Sequence, residues 1–168
     1  LENKFLILGI ASIWGERKGF QYFMELADKI SEDEKIVMVG LTKDQLEKLP
    51  KNILGIERTN SQKELAEIYS AVDVFINPTL EDNFPTTNLE TLACGTPGIT
   101  FKTGGSPECF DEKTGIVIEK GNFEGLHNAI QEIKRNGKDK YSEECRRRAE
   151  SFYFKGDRFE EYVEEYKK

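Results

Sequence analysis

Short apolar runs alternate with segments of helical periodicity along most of the chain. Continuous apolar runs of four to six residues are typical of strands that are buried on both faces of a parallel sheet. Each run is bounded by Gly, Pro, Asn or Thr, and the runs are Phe5–Ile10, Ile36–Gly40, Ile53–Ile56, Val74–Asn77, Gly98–Phe101 and Gly115–Ile118. Their alternation with helices predicts right-handed βαβ units.

The segments between the runs place apolar residues at i, i+3, i+4 and i+7, which indicates amphipathic helices. The residues in this pattern are Phe20, Phe23, Met24, Ala27 and Ile30, then Leu65, Ile68, Tyr69 and Val72, then Phe123, Leu126, Ile130 and Ile133. We therefore predict an α/β fold over residues 1–137, with a doubly wound, Rossmann-like, six-stranded parallel sheet and helices on both faces.

Residues 138–168 have a different composition, with nine basic and nine acidic residues and no strand pattern. This balance predicts a helical C-terminal tail of the same domain, with ion pairs along its surface. Near its end, Phe159, Tyr162, Val163 and Tyr166 share one helical face. That apolar face packs either on this domain or partly against a partner domain.

The charge balance excludes some classes of function. The 168 residues include 24 Lys plus Arg and 31 Asp plus Glu, which gives a net charge of -7. General binding to nucleic acid or to an anionic membrane needs a basic surface instead. Three cysteines without C-x-x-C spacing favour a reduced, cytoplasmic compartment. Because the chain starts at Leu1, without Met, and leads almost directly into a strand, we expect a piece of a longer protein.

The loop after the first apolar run is a candidate ligand site, because ligands of open parallel sheets bind beyond the carboxyl ends of the strands. Residues 11–19 read A-S-I-W-G-E-R-K-G, which is neither a dinucleotide fingerprint nor a P-loop. Arg17 and Lys18 are suited to phosphate, a glycine beside them lets the backbone approach a ligand, and Gly15 is a further candidate contact. The alternative is that both cations are solvated at a helix start.

The loop after the fourth run carries acids and a helix start. A short helix is predicted to begin near Thr86 and to be stopped by Gly95 and Pro97. The free N–H groups of its first turn favour a diphosphate. Carboxylates suit sugar diols, so Asp82 and Glu90 predict a ligand with central phosphates and hydroxylated rings at both ends.

Glu90 also has a purely structural interpretation. Thr87-Asn88-Leu89-Glu90 matches the capping box, in which the glutamate accepts a hydrogen bond from a backbone N–H group. Spacing alone does not decide between a cap and a ligand contact.

Three segments together resemble a known family. Residues 82–97 read D-N-F-P-T-T-N-L-E-T-L-A-C-G-T-P, residues 104–108 read G-G-S-P-E and residues 114–117 read T-G-I-V. These resemble the E-x7-E, G-G-x-x-E and T-G-x-x-V/L blocks of the retaining glycosyltransferases of the GT-B fold often called family 4. The resemblance covers nearly the whole chain as the C-terminal, nucleotide-sugar-binding half of a GT-B architecture.

The resemblance implies roles for individual residues. Glu90 would hold the ribose hydroxyls of a nucleotide diphosphate sugar, Asp82 would contact the transferred sugar, and Lys18 would neutralise the diphosphate. The base would lie against the backbone near Ile56 and Arg58. The remaining implied substrate contacts are Glu81, Asn83, Phe84, Pro85, Thr86, Thr87 and Asn88, with the N–H groups around 86–88 at the distal phosphate.

Two positions depart from the family pattern. Asp82 stands where the first acid is usually a glutamate, and Glu81 beside it is a possible substitute. The family's arginine soon after the first strand is absent from residues 10–13, and Arg17 is the candidate to supply that charge.

The implied activity is transfer of a hexosyl group to an acceptor, with retention, in glycan or polysaccharide biosynthesis. Lys18, Arg17 and the helix N–H groups would stabilise the departing diphosphate, with Asp82 at the sugar, and no obligatory metal or cofactor is expected. The partner would be an absent N-terminal acceptor domain, through which any membrane association would be peripheral. Alternatives are a non-catalytic nucleotide or nucleotide-sugar sensor and an unrelated flavodoxin-like module.

Overall fold

Six parallel strands form one sheet in the order β3-β2-β1-β4-β5-β6 in the computed structural model, which describes residues 3–153. The strands are β1 (Phe5–Ile10), β2 (Glu34–Val39), β3 (Ile53–Ile56), β4 (Val74–Asn77), β5 (Gly98–Phe101) and β6 (Gly115–Ile118). The order reverses between β1 and β4, so their carboxyl ends flank the crevice where ligands of such sheets bind. The predicted doubly wound fold is confirmed.

Helices connect the strands and cover the sheet. Within residues 3–153 they are α1 (Phe20–Ala27), α2 (Lys43–Glu47), α3 (Gln62–Ala71), α4 (Thr86–Ala93), α5 (Ser106–Cys109), α6 (Phe123–Asn136) and α7 (Asp139–Tyr153). A 3₁₀ turn at Glu16–Lys18 precedes α1. In this part of the chain, no helix is long and apolar enough to cross a membrane.

Both faces of the sheet are buried, as continuous apolar strands require. Successive side chains of a strand point to opposite faces. On one face, Ile7, Ile36 and Met38 pack in a cluster with residues of α1 and α6. On the other face, Leu8 and Val37 pack in a cluster with residues of α3.

One strand boundary differs from the prediction. The run at 36–40 predicts a strand from Ile36, whereas β2 begins at Glu34. Glu34 is buried because Gln131 and Lys134 of α6 both donate to its carboxylate, at 2.8 and 3.0 Å. A paired acid can therefore be the first residue of a buried strand. A search for continuous apolar residues misses such a start, because the acid is charged.

The start of the C-terminal segment is helical. Helix α7 packs against α4, and the Ser142 hydroxyl donates to the Gly95 carbonyl at 2.8 Å. The division between residues 137 and 138 stays a prediction. The apolar face formed by Phe159, Tyr162, Val163 and Tyr166 lies outside the described residues.

Candidate functional site

The loops after β1 and β4 meet at the point where the strand order reverses. Gly19 has a φ of +76°, and a Cβ atom there would lie 2.2 Å from the Pro78 carbonyl oxygen. The Leu80 N–H group donates to the Arg17 carbonyl at 2.8 Å. The close approach needs a glycine, and it brings the two loops singled out in the sequence together.

An ion pair joins the two loops. Lys18 donates to the Asp82 carboxylate, and their side chains are only 23% and 15% exposed. The exposed Arg17 side chain donates through Nη1 to the Glu81 carbonyl oxygen at 3.1 Å, while the Glu81 side chain points to solvent. The predicted catalytic residues Lys18, Arg17 and Asp82 are therefore neighbours, and the first and last of them bind each other.

The Gly104-Gly105 block supports the acidic loop from below. Gly104 has a φ of +47°, and a Cβ atom there would lie 1.8 Å from the Asp82 carbonyl oxygen. The Gly105 N–H group donates to the Asn83 carbonyl at 2.7 Å, and the ring of Phe84 lies against Gly105. Residues 82–84 thus pack directly against the backbone of Gly104 and Gly105, and a side chain at either glycine would displace residues 82–84.

Helix α4 starts at the same edge without a side-chain cap. Its N-cap residue is the buried Pro85, which has no cap oxygen. The Asn88 N–H group donates to the Pro85 carbonyl at 3.1 Å, whereas the Thr86 and Thr87 N–H groups have no hydrogen-bond partner among residues 3–153. Two free N–H groups at a helix N-terminus attract an anion.

The Asn88 side chain is turned into the protein interior at the end of β4. It is fully buried, and its Oδ1 accepts a hydrogen bond from Asn77 Nδ2 at 2.9 Å. Asn88, proposed from the resemblance as a ligand contact, is thus engaged at its Oδ1 and at its N–H group, whereas its buried Nδ2 has no hydrogen-bond partner among residues 3–153.

The structure decides against a capping box at Glu90. A capping box needs Thr87 as N-cap, but the helix begins at Thr86, so Glu90 is its fifth residue. The Glu90 carboxylate instead accepts a hydrogen bond at Oε2 from the Tyr69 hydroxyl, at 3.0 Å. Burial, followed by the charge of Glu90 and this hydrogen bond, raises the pKa of Tyr69 well above its ordinary value.

A cleft of about 650 Å³ opens beyond the carboxyl ends of β1, β2 and β3. It is lined by residues 10–12, 39–43 and 57–59, with Leu65, Thr87 and Glu90. Arg58 is one of the exposed lining residues, whereas the Ile56 carbonyl already accepts hydrogen bonds from the Gly40 and Leu41 N–H groups at 3.0 and 3.3 Å.

The cleft and the ion pair are separate parts of one edge. Lys18, Arg17 and Asp82 do not line the cleft, and they lie where residues 11–19 meet residues 78–83. Gly15 lies in the first of these loops, and a Cβ atom on it would have no atom within 4 Å, so that position is open. Among residues 3–153, no group of three or more His, Cys, Asp or Glu side chains is placed to hold a metal ion.

Trp14 anchors the first loop to the sheet. It is buried, its indole Nε1–H donates to the Val39 carbonyl at 2.8 Å, and its ring meets Phe23 edge-on at 5.0 Å. This confirms a packing role and places residues 11–15 over the end of β2. Together these contacts build one wall of the cleft.

Sequence reasoning missed Tyr69 and the segment at 39–43. Tyr69 belongs to the apolar stripe of α3, and the hydroxyl of a buried tyrosine usually has a hydrogen-bond partner. A tyrosine in that stripe is therefore a sign, available from the sequence, of a nearby polar side chain. Residues 40–43 follow β2, whose carboxyl end lies at the same edge as those of β1 and β4. Because ligands of such sheets bind beyond the carboxyl ends of the strands, residues 40–43 could have been predicted as ligand contacts as well.

The chain matches a known family over most of its length. The family model described as Glycosyl transferases group 1 matches residues 4–136. A D-inositol 3-phosphate glycosyltransferase of Mycobacteroides abscessus is 31% identical over 74 residues, which are 44% of this chain and 17% of that protein. The match thus spans about a sixth of that curated relative.

Solved structures share the fold. Sucrose-phosphate synthase from Thermosynechococcus elongatus matches with a TM-score of 0.84 and 21% identity, over 98% of this chain and 45% of its own. HepE of Anabaena, in complex with UDP, matches with a TM-score of 0.84 and 18% identity, over 98% of this chain and 49% of its own. The chain therefore spans a little under half of each of these structures.

Proposed function

Because this chain belongs to the group 1 glycosyl transferase family, we propose that it binds a nucleoside diphosphate sugar and forms the donor-binding half of a hexosyltransferase. The observation that carries the proposal is the position of the Glu90 carboxylate on the wall of the cleft, on the helix whose Thr86 and Thr87 N–H groups have no hydrogen-bond partner within the described part of the chain. A nucleoside in the cleft would place its ribose at Glu90 and its phosphates toward the start of α4. The UDP bound to the structural neighbour HepE supports this class of ligand.

The phosphate end of the donor would meet the positive groups of the two loops. Thr87 lines the cleft at the start of α4, while Lys18 and Arg17 lie outside it, in the loop that meets the acidic loop at Glu81 and Asp82. When the bond between the anomeric carbon and the diphosphate breaks, the electron pair stays on the phosphate oxygen. Preorganised cations and N–H groups stabilise that growing charge more than they stabilise the ground state. In this proposal the protein's own groups supply that stabilisation, without a required metal.

The acceptor would be bound by a second, N-terminal domain, and the sugar would be transferred with retention into a glycan or polysaccharide. The shares of 45% and 49% of the two solved structures support a second half of similar size. The three cysteine thiols, at Cys94, Cys109 and Cys145, are all free, which supports a reduced, cytoplasmic setting.

Calorimetry with ADP, GDP, CDP and UDP tests the proposal. At least one of them should bind the unsubstituted chain, and Glu90→Gln should weaken that binding by about tenfold or more, since a carboxylate is the better acceptor for the ribose hydroxyls. The melting temperature should change little, because the Gln carbonyl oxygen still accepts from Tyr69. Glu67→Gln is the matched control, since Glu67 is an exposed residue of α3 outside the cleft.

Two outcomes contradict the proposal. One is that none of the four nucleoside diphosphates binds the unsubstituted chain. The other is that Glu90→Gln and Glu67→Gln bind the nucleotide equally well.

A further inference from the structure

The Tyr69 hydroxyl donates a hydrogen bond to the Glu90 carboxylate, the group proposed to bind the ribose of the donor. Tyr69 lies in α3 with 1% of its surface exposed, and its hydroxyl reaches Glu90 Oε2 on α4 at 3.0 Å. We propose that Tyr69 is a positioning residue, which holds the Glu90 carboxylate so that its second oxygen faces the ribose hydroxyls. This inference rests on the proposed function.

Tyr69 is held more firmly than Glu90. Its ring meets Phe75 of β4 at a centroid distance of 5.8 Å and an interplanar angle of 67°, inside the cluster on one face of the sheet. Its carbonyl oxygen accepts a hydrogen bond from the Thr96 hydroxyl at 2.6 Å. The phenol is therefore fixed at both its ring and its backbone.

Glu90 has no such packing of its own. It is an exposed residue on the surface of α4 that lines the cleft, and an unrestrained glutamate there would sample several rotamers. One hydrogen bond from a fixed hydroxyl selects among these rotamers. Because it occupies Oε2, it leaves Oε1 without a hydrogen-bond partner among residues 3–153 and available to a ligand.

The charge state of the phenol suits this role. Burial first, and then the negative charge of Glu90, raise the pKa of Tyr69 above its ordinary value of 10.0. The hydroxyl therefore keeps its proton at neutral pH and remains a hydrogen-bond donor to the carboxylate.

The competing explanation is that the bond only satisfies a buried hydroxyl, as buried tyrosines commonly require. The two explanations differ in what Tyr69→Phe does. A hydroxyl that only stabilises the fold affects melting, whereas a hydroxyl that positions Glu90 affects recognition of the ribose. Comparing ligands with and without the ribose 2′- and 3′-hydroxyls therefore distinguishes the two explanations.

The experiment compares the tightest binder among ADP, GDP, CDP and UDP with its 2′,3′-dideoxy form, by calorimetry. Tyr69→Phe should weaken binding of the ribonucleotide by about tenfold and leave binding of the dideoxy form unchanged. Tyr141→Phe is the matched control, because Tyr141 is also a buried tyrosine with a bonded hydroxyl, which accepts from Asn136 Nδ2 at 2.7 Å in α6. It should change neither affinity, and dideoxy binding also reports that each variant is folded.

Glu90→Gln, measured with the same two ligands, separates the inference from the proposed function. If Glu90→Gln selectively weakens the ribonucleotide and Tyr69→Phe does not, the positioning role is wrong and the proposed function stands. If Glu90→Gln has no selective effect, or no ribonucleotide binds at all, the proposed function is wrong as well. Equal weakening of both ligands by Tyr69→Phe also overturns the inference, since it indicates general damage to the cleft.

Discussion

Lys18 and Asp82 form an ion pair with each other, although the resemblance assigns one to the phosphates and the other to the sugar of the same ligand. Their side chains are 23% and 15% exposed, so water screens the pair only in part. Gly104 and Gly105 support the backbone at Asp82, which leaves the short aspartate side chain directed at Lys18. Before a donor binds, Asp82 therefore pairs with Lys18, the cation that would otherwise bind the diphosphate.

Removing the Asp82 charge should strengthen binding of a nucleoside diphosphate. In Asp82→Asn, Lys18 no longer has an ionised partner and is free for phosphate, so we expect the affinity measured by calorimetry to rise about threefold to tenfold. The preference for the nucleotide sugar over the nucleoside diphosphate should fall, because the sugar loses its carboxylate contact.

Glu81→Gln is the matched control for that measurement. It removes the same charge one residue away, from an exposed side chain that has no ion pair among the described residues. General charge reduction would raise the affinity equally in both variants, and this result would contradict a specific effect of the Lys18–Asp82 pair.

Removing both loop cations should selectively weaken phosphate recognition. We expect Arg17→Met with Lys18→Met to reduce binding of a nucleoside diphosphate by about 100-fold or more, or about 2.8 kcal/mol or more, since each hydrogen bond to a charged group contributes about 1.5 kcal/mol at the lower end of the usual range. Binding of the parent nucleoside should change little in the same titrations. Lys63→Met, at an exposed position of α3, is the control, and equal losses for nucleoside and nucleoside diphosphate would count against the phosphate role.

Much of the fold is predictable because its strands are short and buried on both faces. A strand of this kind is a continuous apolar run between turn residues, and β1, β3, β4, β5 and β6 have the predicted bounds. Strand β2 is the exception, because a contact with Lys134, 100 residues away in sequence, makes Glu34 a strand residue. The sequence around Glu34 does not indicate that Lys134 is its partner.

The site is predictable to the level of loops but not of side-chain pairs. Topology places the loops after β1 and β4 at one edge, which is why Lys18 and Asp82 were both candidates. Their pairing depends on side-chain rotamers across 64 residues of sequence. At Glu90 the spacing matches two motifs, and only the start of α4 at Thr86 excludes the capping box.

Gly104 offers a test of the support beneath the acidic loop. Gly104→Ala adds a Cβ atom 1.8 Å from the Asp82 carbonyl oxygen, so residues 82–84 must move. The left-handed backbone itself costs about 1–2 kcal/mol for an alanine. We expect both a lower melting temperature and weaker binding of the nucleotide sugar.

Gly121→Ala separates these two effects. Gly121 has a φ of +80°, but a Cβ atom there would lie 3.5 Å from the Tyr22 hydroxyl, in ordinary contact. It should therefore lower the melting temperature through backbone strain alone and leave binding unchanged. If Gly104→Ala behaves in the same way, the glycine block does not support the site.

Glu34 predicts how stability depends on pH at the opposite edge of the sheet. Burial acts to raise the pKa of Glu34, but hydrogen bonds from Gln131, from Ser31 and from Lys134 outweigh it and hold the pKa below its ordinary value of 4.5. A lowered pKa means that the folded state prefers the ionised acid. Its contribution is therefore fully present above about pH 4.5 and is lost as the pH falls through the lower, folded-state pKa.

Glu34→Gln should reproduce that loss at neutral pH. We expect a decrease of about 2 kcal/mol in the free energy of unfolding at pH 7, roughly 6 °C in melting temperature, because hydrogen bonds to a buried charged group are weakened. The difference from the unsubstituted chain should narrow below pH 4.5 in thermal melts. Glu119→Gln is the control, since its pair with Lys102 is exposed and such pairs contribute little. A difference that stays constant down to pH 3 would show that Glu34 is not held in its ionised form by these contacts.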